Sequence, residues 1–286
     1  MNRFLTRNKT PEGPPIPEGL EGAMTGDEPL SEMGFLDHLE ELRWMLMKMG
    51  IGVVLCTVAA FFFRTWIINE LLLGPKDPDF FMYGVFGIDA VEFVLQNRNI
   101  TGQFFADIGT VFAVGIILGS PIAVFQMWRF IEPGLYPSEK QGLRFAAVFA
   151  TFFFVLGISF GYLVITPLAL QFFAQYSISP EITNEFDISR YFSMITFWAF
   201  GAGILFELPV VIYFLAKMGI ATPELLRKSR KWALITCLVL GAFFTPPDPL
   251  SQVLVAMPLL LLYELSIFIA AAVEKNRDKA MAEALA

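Results

Sequence analysis

The chain has 286 residues, 56% of them hydrophobic and 16% charged, with a mean hydropathy of +0.60 and a net charge of −7. A soluble domain carries about a quarter charged residues, so much of this surface faces something other than water. The acidic balance offers no dense basic stripe to neutralise phosphates, which excludes a nucleic-acid binder. The two cysteines, Cys56 and Cys237, lie within apolar runs and read as buried small hydrophobes rather than a disulfide or a metal site.

In chain order, residues 1–30 hold Pro11, Pro14, Pro15, Pro17 and Pro29 among Gly, Glu and Asp, with no apolar segment. They read as a disordered cytoplasmic tail without a cleavable signal peptide. Next, Leu36, Leu39, Leu42 and Leu46 recur at helical spacing, giving an amphipathic lead-in with acids on another face. A membrane helix needs roughly 20 apolar residues to cross about 30 Å of hydrocarbon. Residues 44–63, 108–128, 145–173, 191–216, 232–245 and 253–273 supply six candidates. The third is long enough to tilt or protrude. The expected fold class is therefore an all-α polytopic membrane protein of six transmembrane helices, the fifth and sixth short or kinked. Its domain layout is a tail (1–30), a membrane domain (31–275) and a cytoplasmic C-terminal tail (276–286).

The fifth segment holds only 14 residues between Lys231 and Pro246, or roughly 21 Å of helix at 1.5 Å per residue. Either the bilayer thins there and the helix leans on its neighbours, or Arg230, Lys231 and Trp232 snorkel to the interface. Lys and Arg set the orientation. With the N-terminus inside, sixteen of the 20 fall on the cytoplasmic side, leaving Arg64, Lys76, Arg98 and Arg190 outside. The predicted topology is N-in, C-in. Two small-xxx-small pairs, Gly115 with Gly119 and Gly157 with Gly161, predict close helix packing.

Signals for catalysis are weak. Gly157-Ile158-Ser159-Phe160-Gly161 matches a nucleophile-elbow pattern but sits inside a helix, where the strand-to-helix turn that exposes the serine cannot form. The single histidine, His38, precedes the first span, far from that serine. No phosphate-cradling loop is present, and one histidine with two buried cysteines builds no metal cluster. Neither an enzyme nor a cofactor is expected.

What remains are polar groups in costly places. Glu207 lies about mid-bilayer, where a carboxylate costs several kcal/mol unless protonated, hydrated or paired. It is either a helix-to-helix hydrogen-bonding group beside the Pro209 kink or a polar contact on a transport path. Glu264, closer to the cytoplasmic end, is expected to snorkel. Acidic segments before the first span and after the second fall on the same side of the membrane. They are either surface acids capping helix starts or a pair of carboxylates able to clamp guanidinium groups.

These segments together resemble the TatC family, the receptor core of the twin-arginine protein translocase. The marks are His38-Leu39-Glu40-Glu41-Leu42-Arg43, then Phe130-Ile131-Glu132-Pro133-Gly134-Leu135-Tyr136 with Glu139, then Phe206-Glu207-Leu208-Pro209. Gly219-Ile220 follows with Arg227-Lys228-Ser229-Arg230, and last Thr245-Pro246-Pro247-Asp248 with Ser251-Gln252. The resemblance covers about residues 31–275. It implies recognition of twin-arginine signal peptides of folded proteins at the cytoplasmic face of a bacterial inner membrane, with passage driven by the proton-motive force. By motif position, Glu41 and Glu139 face the twin arginines, Phe130, Leu135 and Tyr136 shape that site, and Arg43 and Pro133 stand beside them. Glu207 takes the family's intramembrane acidic position. Thr245 and Gln252 take the polar position where TatA- or TatB-like single-span partners dock, and Asp248 the acidic position in the last external turn. Several copies of the chain are implied in the receptor complex. Pro137 departs from the pattern, since many relatives carry a basic residue between the tyrosine and the glutamate. The competing reading is a proton-coupled small-solute secondary transporter using Glu207; such folds commonly show internal repeats, and none is visible.

Overall fold

The computed structural model describes residues 35–131, 140–245 and 249–285. Contacts divide the chain into residues 1–43 and 44–286. Among its described residues, the first unit contributes the opening turns of α1 (Phe35–Phe62). After Phe63 come a single turn α2 (Arg64–Trp66), a π-helical turn Ile67–Leu72 and the short α3 (Phe81–Phe86). Then follow α4 (Gly102–Ile131), α5 (Lys140–Phe160), a π-helical turn Gly161–Ile165 and α6 (Thr166–Gln175). The rest is α7 (Ile188–Phe206), α8 (Leu208–Lys217), α9 (Pro223–Lys228), α10 (Arg230–Phe244) and α11 (Pro249–Leu285).

Among the described residues, five stretches are long and apolar enough to cross a membrane: Leu39–Phe62, Gly102–Met127, Ala147–Gln175, Ile188–Lys217 and Ser251–Lys279. The expected fifth span is α10, whose 15 residues reach only about 22 Å. It is short, as its sequence predicts. The last helix is not. α11 is a continuous helix of 37 residues with Pro258 inside it.

Glycines set the helix packing. A Cβ on Gly157 would lie 2.5 Å from the Ala202 carbonyl oxygen and 2.8 Å from Gly203 Cα, and one on Gly161 would lie 2.4 Å from the Trp198 carbonyl oxygen. Only hydrogen atoms at these positions let α5 and α7 approach backbone to backbone. The same holds between α4 and α1, where Gly115 faces Thr57 and Gly119 faces Val53. α11 packs along α8 and α10, and α4 along both α5 and α7. The main core joins Ile195, Trp198 and Ala202 of α7 to Val111 and Val114 of α4 and to Ile165 and Ala169.

One end of the bundle is capped by the connections 63–101 and 176–187. Here the fold departs from all-α: Val94–Gln96 and Glu185–Asp187 pair as a parallel two-stranded sheet in register Val94 to Glu185. Three-residue strands are too short to show an alternating pattern, and their pairing joins segments remote in the chain. Tyrosines secure this end. The π-helical turn leaves carbonyls near its exit without a regular helical partner. Tyr162 donates to Leu71, Tyr191 donates to Leu72 at 2.8 Å and Tyr83 donates to Pro75. Burial pushes the Tyr83 phenol above its ordinary pKa, an effect that hydrogen bonding with Gln171 opposes. Gln171 also clasps the backbone of Val91, accepting from its N–H at 2.8 Å and donating to its carbonyl at 3.3 Å.

At the opposite end of α8, Gly219 takes a φ of +75°, a left-handed conformation that closes a helix with little strain in glycine. Ile220 N–H returns to Leu215 O at 2.8 Å. Thr222 then opens α9, its hydroxyl accepting from Leu225 N–H at 3.3 Å.

Gly157→Leu must push backbone apart, and overpacking of this kind costs about 1–3 kcal/mol. A lowered thermal midpoint of the detergent-purified protein is expected. Gly109→Ala, whose Cβ meets nothing within 4 Å, should leave the midpoint unchanged or higher.

Candidate functional site

The fourth span breaks at Glu207. Asp187 starts α7 by accepting from the N–H groups of Ser189 and Arg190 at 3.0 and 3.1 Å, a regular N-cap. The helix then runs to Phe206, and α8 begins at Leu208 with Pro209 in its first turn. Proline removes a donor and crowds the preceding turn, so the joint falls at Glu207. Both Glu207 carboxylate oxygens are shielded from solvent and accept no hydrogen bond among the described residues. The helix-to-helix hydrogen bond that would explain Glu207 structurally is therefore not formed there. Its neighbours are apolar: Phe206 is buried and its ring lies 5.3 Å from that of Phe160.

The polar pair at the α10–α11 turn is spent internally. Thr245 is 7% exposed, and its hydroxyl donates to Gly241 O at 2.8 Å. Gln252 Nε2 donates across to Leu238 O at 3.0 Å. A Cβ on Gly241 would come within 3.0 Å of the Gln252 carbonyl oxygen, so the two helices meet tightly at this point. Around the pair, Val239, Phe243, Val253 and Met257 are exposed. The polar side chains brace a short helix whose outer face is bare hydrocarbon.

Before the first span, Glu41 is half-buried and Arg43 exposed. One Glu41 carboxylate oxygen is shielded and has no partner among the described residues. Phe130 is half-buried in the last turn of α4 beside the exposed Arg129. Pro133, Leu135, Tyr136 and Glu139 lie outside the described residues, as does Asp248. Glu264 pairs with Arg230 at 2.8 Å, joining α10 to α11. Both groups are well exposed, so the pair is worth at most about 1 kcal/mol. Two further tethers went unread in the sequence: Tyr263 donates to Leu226 O at 2.8 Å, and Arg64 meets Asp107 at 3.4 Å. A charge inside an apolar run was the available signal for the second. Ser159 donates to Val155 O at 2.9 Å within its helix, the geometry of a structural hydroxyl. No cluster of potential metal ligands occurs among the described residues.

Comparison with known proteins gives concordant results. Residues 37–258 match the family model described as Sec-independent protein translocase protein (TatC). The TatC of Blattabacterium sp. subsp. Periplaneta americana is 33% identical over 86% of this chain and 98% of its own length. The TatCy of Bacillus subtilis is 32% identical over 88% and 94%, and the TatC of Aquifex aeolicus 35% over 83% and 94%. A crystal structure of a twin-arginine translocase receptor, TatC, superposes with a TM-score of 0.64 at 34% identity, covering 83% of this chain and 99% of that one.

A buried carboxylate without a partner carries a desolvation penalty of about 1–3 kcal/mol or more. Glu207→Met is therefore expected to raise the thermal midpoint in detergent. An unchanged midpoint would mean that water already solvates the group.

Proposed function

Since the chain belongs to the TatC family and is a component of the Sec-independent protein translocase, we propose that it is the receptor that binds twin-arginine signal peptides at the cytoplasmic face. The carrying observation is the breadth of the match: it spans 37–258 and takes in the whole length of a solved twin-arginine translocase receptor at 34% identity. The small-solute transporter alternative falls with this match.

In the proposed arrangement, six helices span a bacterial inner membrane with both termini inside, α10 being the short fifth span. Residues 31–275 form the translocase domain between two tails. The signal peptide's guanidinium groups dock on Glu41 and Glu139, each able to accept paired N–H···O bonds. Phe130, Pro133, Leu135, Tyr136 and Arg43 frame the site. The half-buried position of Glu41, with one carboxylate oxygen lacking a partner among the described residues, suits an acceptor held ready for a cationic ligand. TatA- or TatB-like single-span partners gather on the bare face around Thr245 and Gln252, with Asp248 in the adjoining turn. There the 15-residue α10 thins the bilayer by hydrophobic mismatch. Several copies of the chain assemble in the complex. The proton-motive force drives passage, and the unpartnered Glu207 is the polar group at membrane depth on that path.

Neutral Glu139→Gln should weaken binding of an Arg-Arg signal peptide far more than of a Lys-Lys control, because only the guanidinium forks across two carboxylate oxygens. Equal loss for both peptides would contradict the clamp. For the partner face, Gln252→Leu should lower site-specific crosslinking to the single-span subunit. Undiminished crosslinking would count against that docking site.

A further inference from the structure

α1 and α4 touch closely where Gly115 meets Thr57 and Gly119 meets Val53. Toward the capped end they diverge and leave a groove of about 390 Å³, lined by Thr57, Val58, Phe61, Ile108, Val111 and Phe112. Its walls are apolar, and the Thr57 hydroxyl is already donated to Val53 O at 2.9 Å. At the mouth sit two opposite charges. Arg64, just past the end of α1, holds its guanidinium 5.0 Å above the Phe61 ring and 3.4 Å from Asp107 Oδ2. That distance exceeds the roughly 2.7–2.9 Å of a well-formed charge-assisted bond. Asp107 Oδ1 is shielded and has no partner among the described residues. The two side chains remain 47% and 34% exposed.

We propose that this groove is a binding site for a phospholipid with a phosphoethanolamine head group. The lipid phosphate sits on Arg64, the primary ammonium donates to Asp107, and one acyl chain descends between α1 and α4 to the Gly115–Thr57 contact. The charges select the head group. A choline ammonium has no N–H to donate, and a glycerol head group carries no cation for Asp107. A purely anionic ligand satisfies Arg64 but meets repulsion from the neighbouring carboxylate. Depth agrees as well: Asp107 lies within the first two turns of α4, so the charged pair stands near the membrane interface with the apolar groove below it. The carboxylate accepts one long bond where it can take about four, and rotation about its terminal torsion presents either oxygen to the ammonium.

Native mass spectrometry of the full-length, detergent-purified protein tests this directly. The protein is supplied with equal amounts of phosphatidylethanolamine, phosphatidylcholine and phosphatidylglycerol bearing identical chains. A charge-assisted hydrogen bond supports retention of the ethanolamine lipid over the choline lipid by about tenfold. Asp107→Asn should abolish that preference, and Arg64→Gln should lower retention of the ethanolamine and choline lipids together. Val58→Trp, which fills the exposed groove wall, should reduce retention of all three. Equal retention of the ethanolamine and choline lipids by the unaltered protein, or an undiminished preference in Asp107→Asn, would overturn the proposal. Thermal midpoints run in parallel establish that each variant is folded. If Asp107→Asn fails to fold, Val58→Trp decides: retention equal to that of the unaltered protein places the lipids elsewhere.

Discussion

Hydrocarbon offers no hydrogen bonds, and every polar group that enters it must be satisfied from within the protein. Most of the membrane-depth hydroxyls here obey by turning back on their own helix. Thr57, Thr151, Ser159, Ser193, Thr196, Thr245 and Ser266 each donate to the carbonyl four residues earlier. Thr166 reaches five residues back to Gly161 O at 2.9 Å, following the wider π-helical turn it closes. Where the backbone itself leaves the regular ladder after α1, tyrosines from α3, α7 and the Gly161–Ile165 turn supply the missing donors.

That economy gives meaning to the exceptions. Glu207, one oxygen of Asp107 and the Thr110 hydroxyl are shielded from solvent with no partner among the described residues. The two acids among them occur where helices part. Glu207 sits at a proline-made joint between α7 and α8, and Asp107 heads the groove between α1 and α4. Thr245 and Gln252 behave differently. They are polar at a helix turn, yet their hydrogen bonds run inward to Gly241 and Leu238. Gln252 ties α11 to α10 beneath an exposed apolar face, while Thr245 closes the last turn of α10.

Dispersion and close approach, rather than water exclusion, hold membrane helices together. The four glycines facing α1 and α7 fit that rule, because each would place a Cβ against backbone atoms of its neighbour. The tight α5–α7 and α1–α4 contacts make a frame, and the short α10 hangs on it through α11. The 15-residue α10 is tied to α11 by the Arg230–Glu264 pair and the Gln252–Leu238 hydrogen bond, and its Phe244 stacks on Phe197 of α7.

The sequence alone determined the membrane setting, the apolar segments and their approximate limits, the glycine contacts, the shortness of the fifth segment and the family. These properties are local: runs of apolar residues, i to i+4 spacing and motif order are all written along the chain. The unsatisfied state of Glu207 was not legible, since whether a carboxylate finds a partner depends on which helices surround it. Nor was the Arg230–Glu264 pair, the three tyrosine tethers or the parallel pairing of Val94–Gln96 with Glu185–Asp187. All but the Tyr83–Pro75 tether join residues far apart in the chain, and a three-residue strand carries no period to announce itself. The tertiary structure decided these because folding sets distance between remote residues, and hydrogen bonds and ion pairs act only at short range.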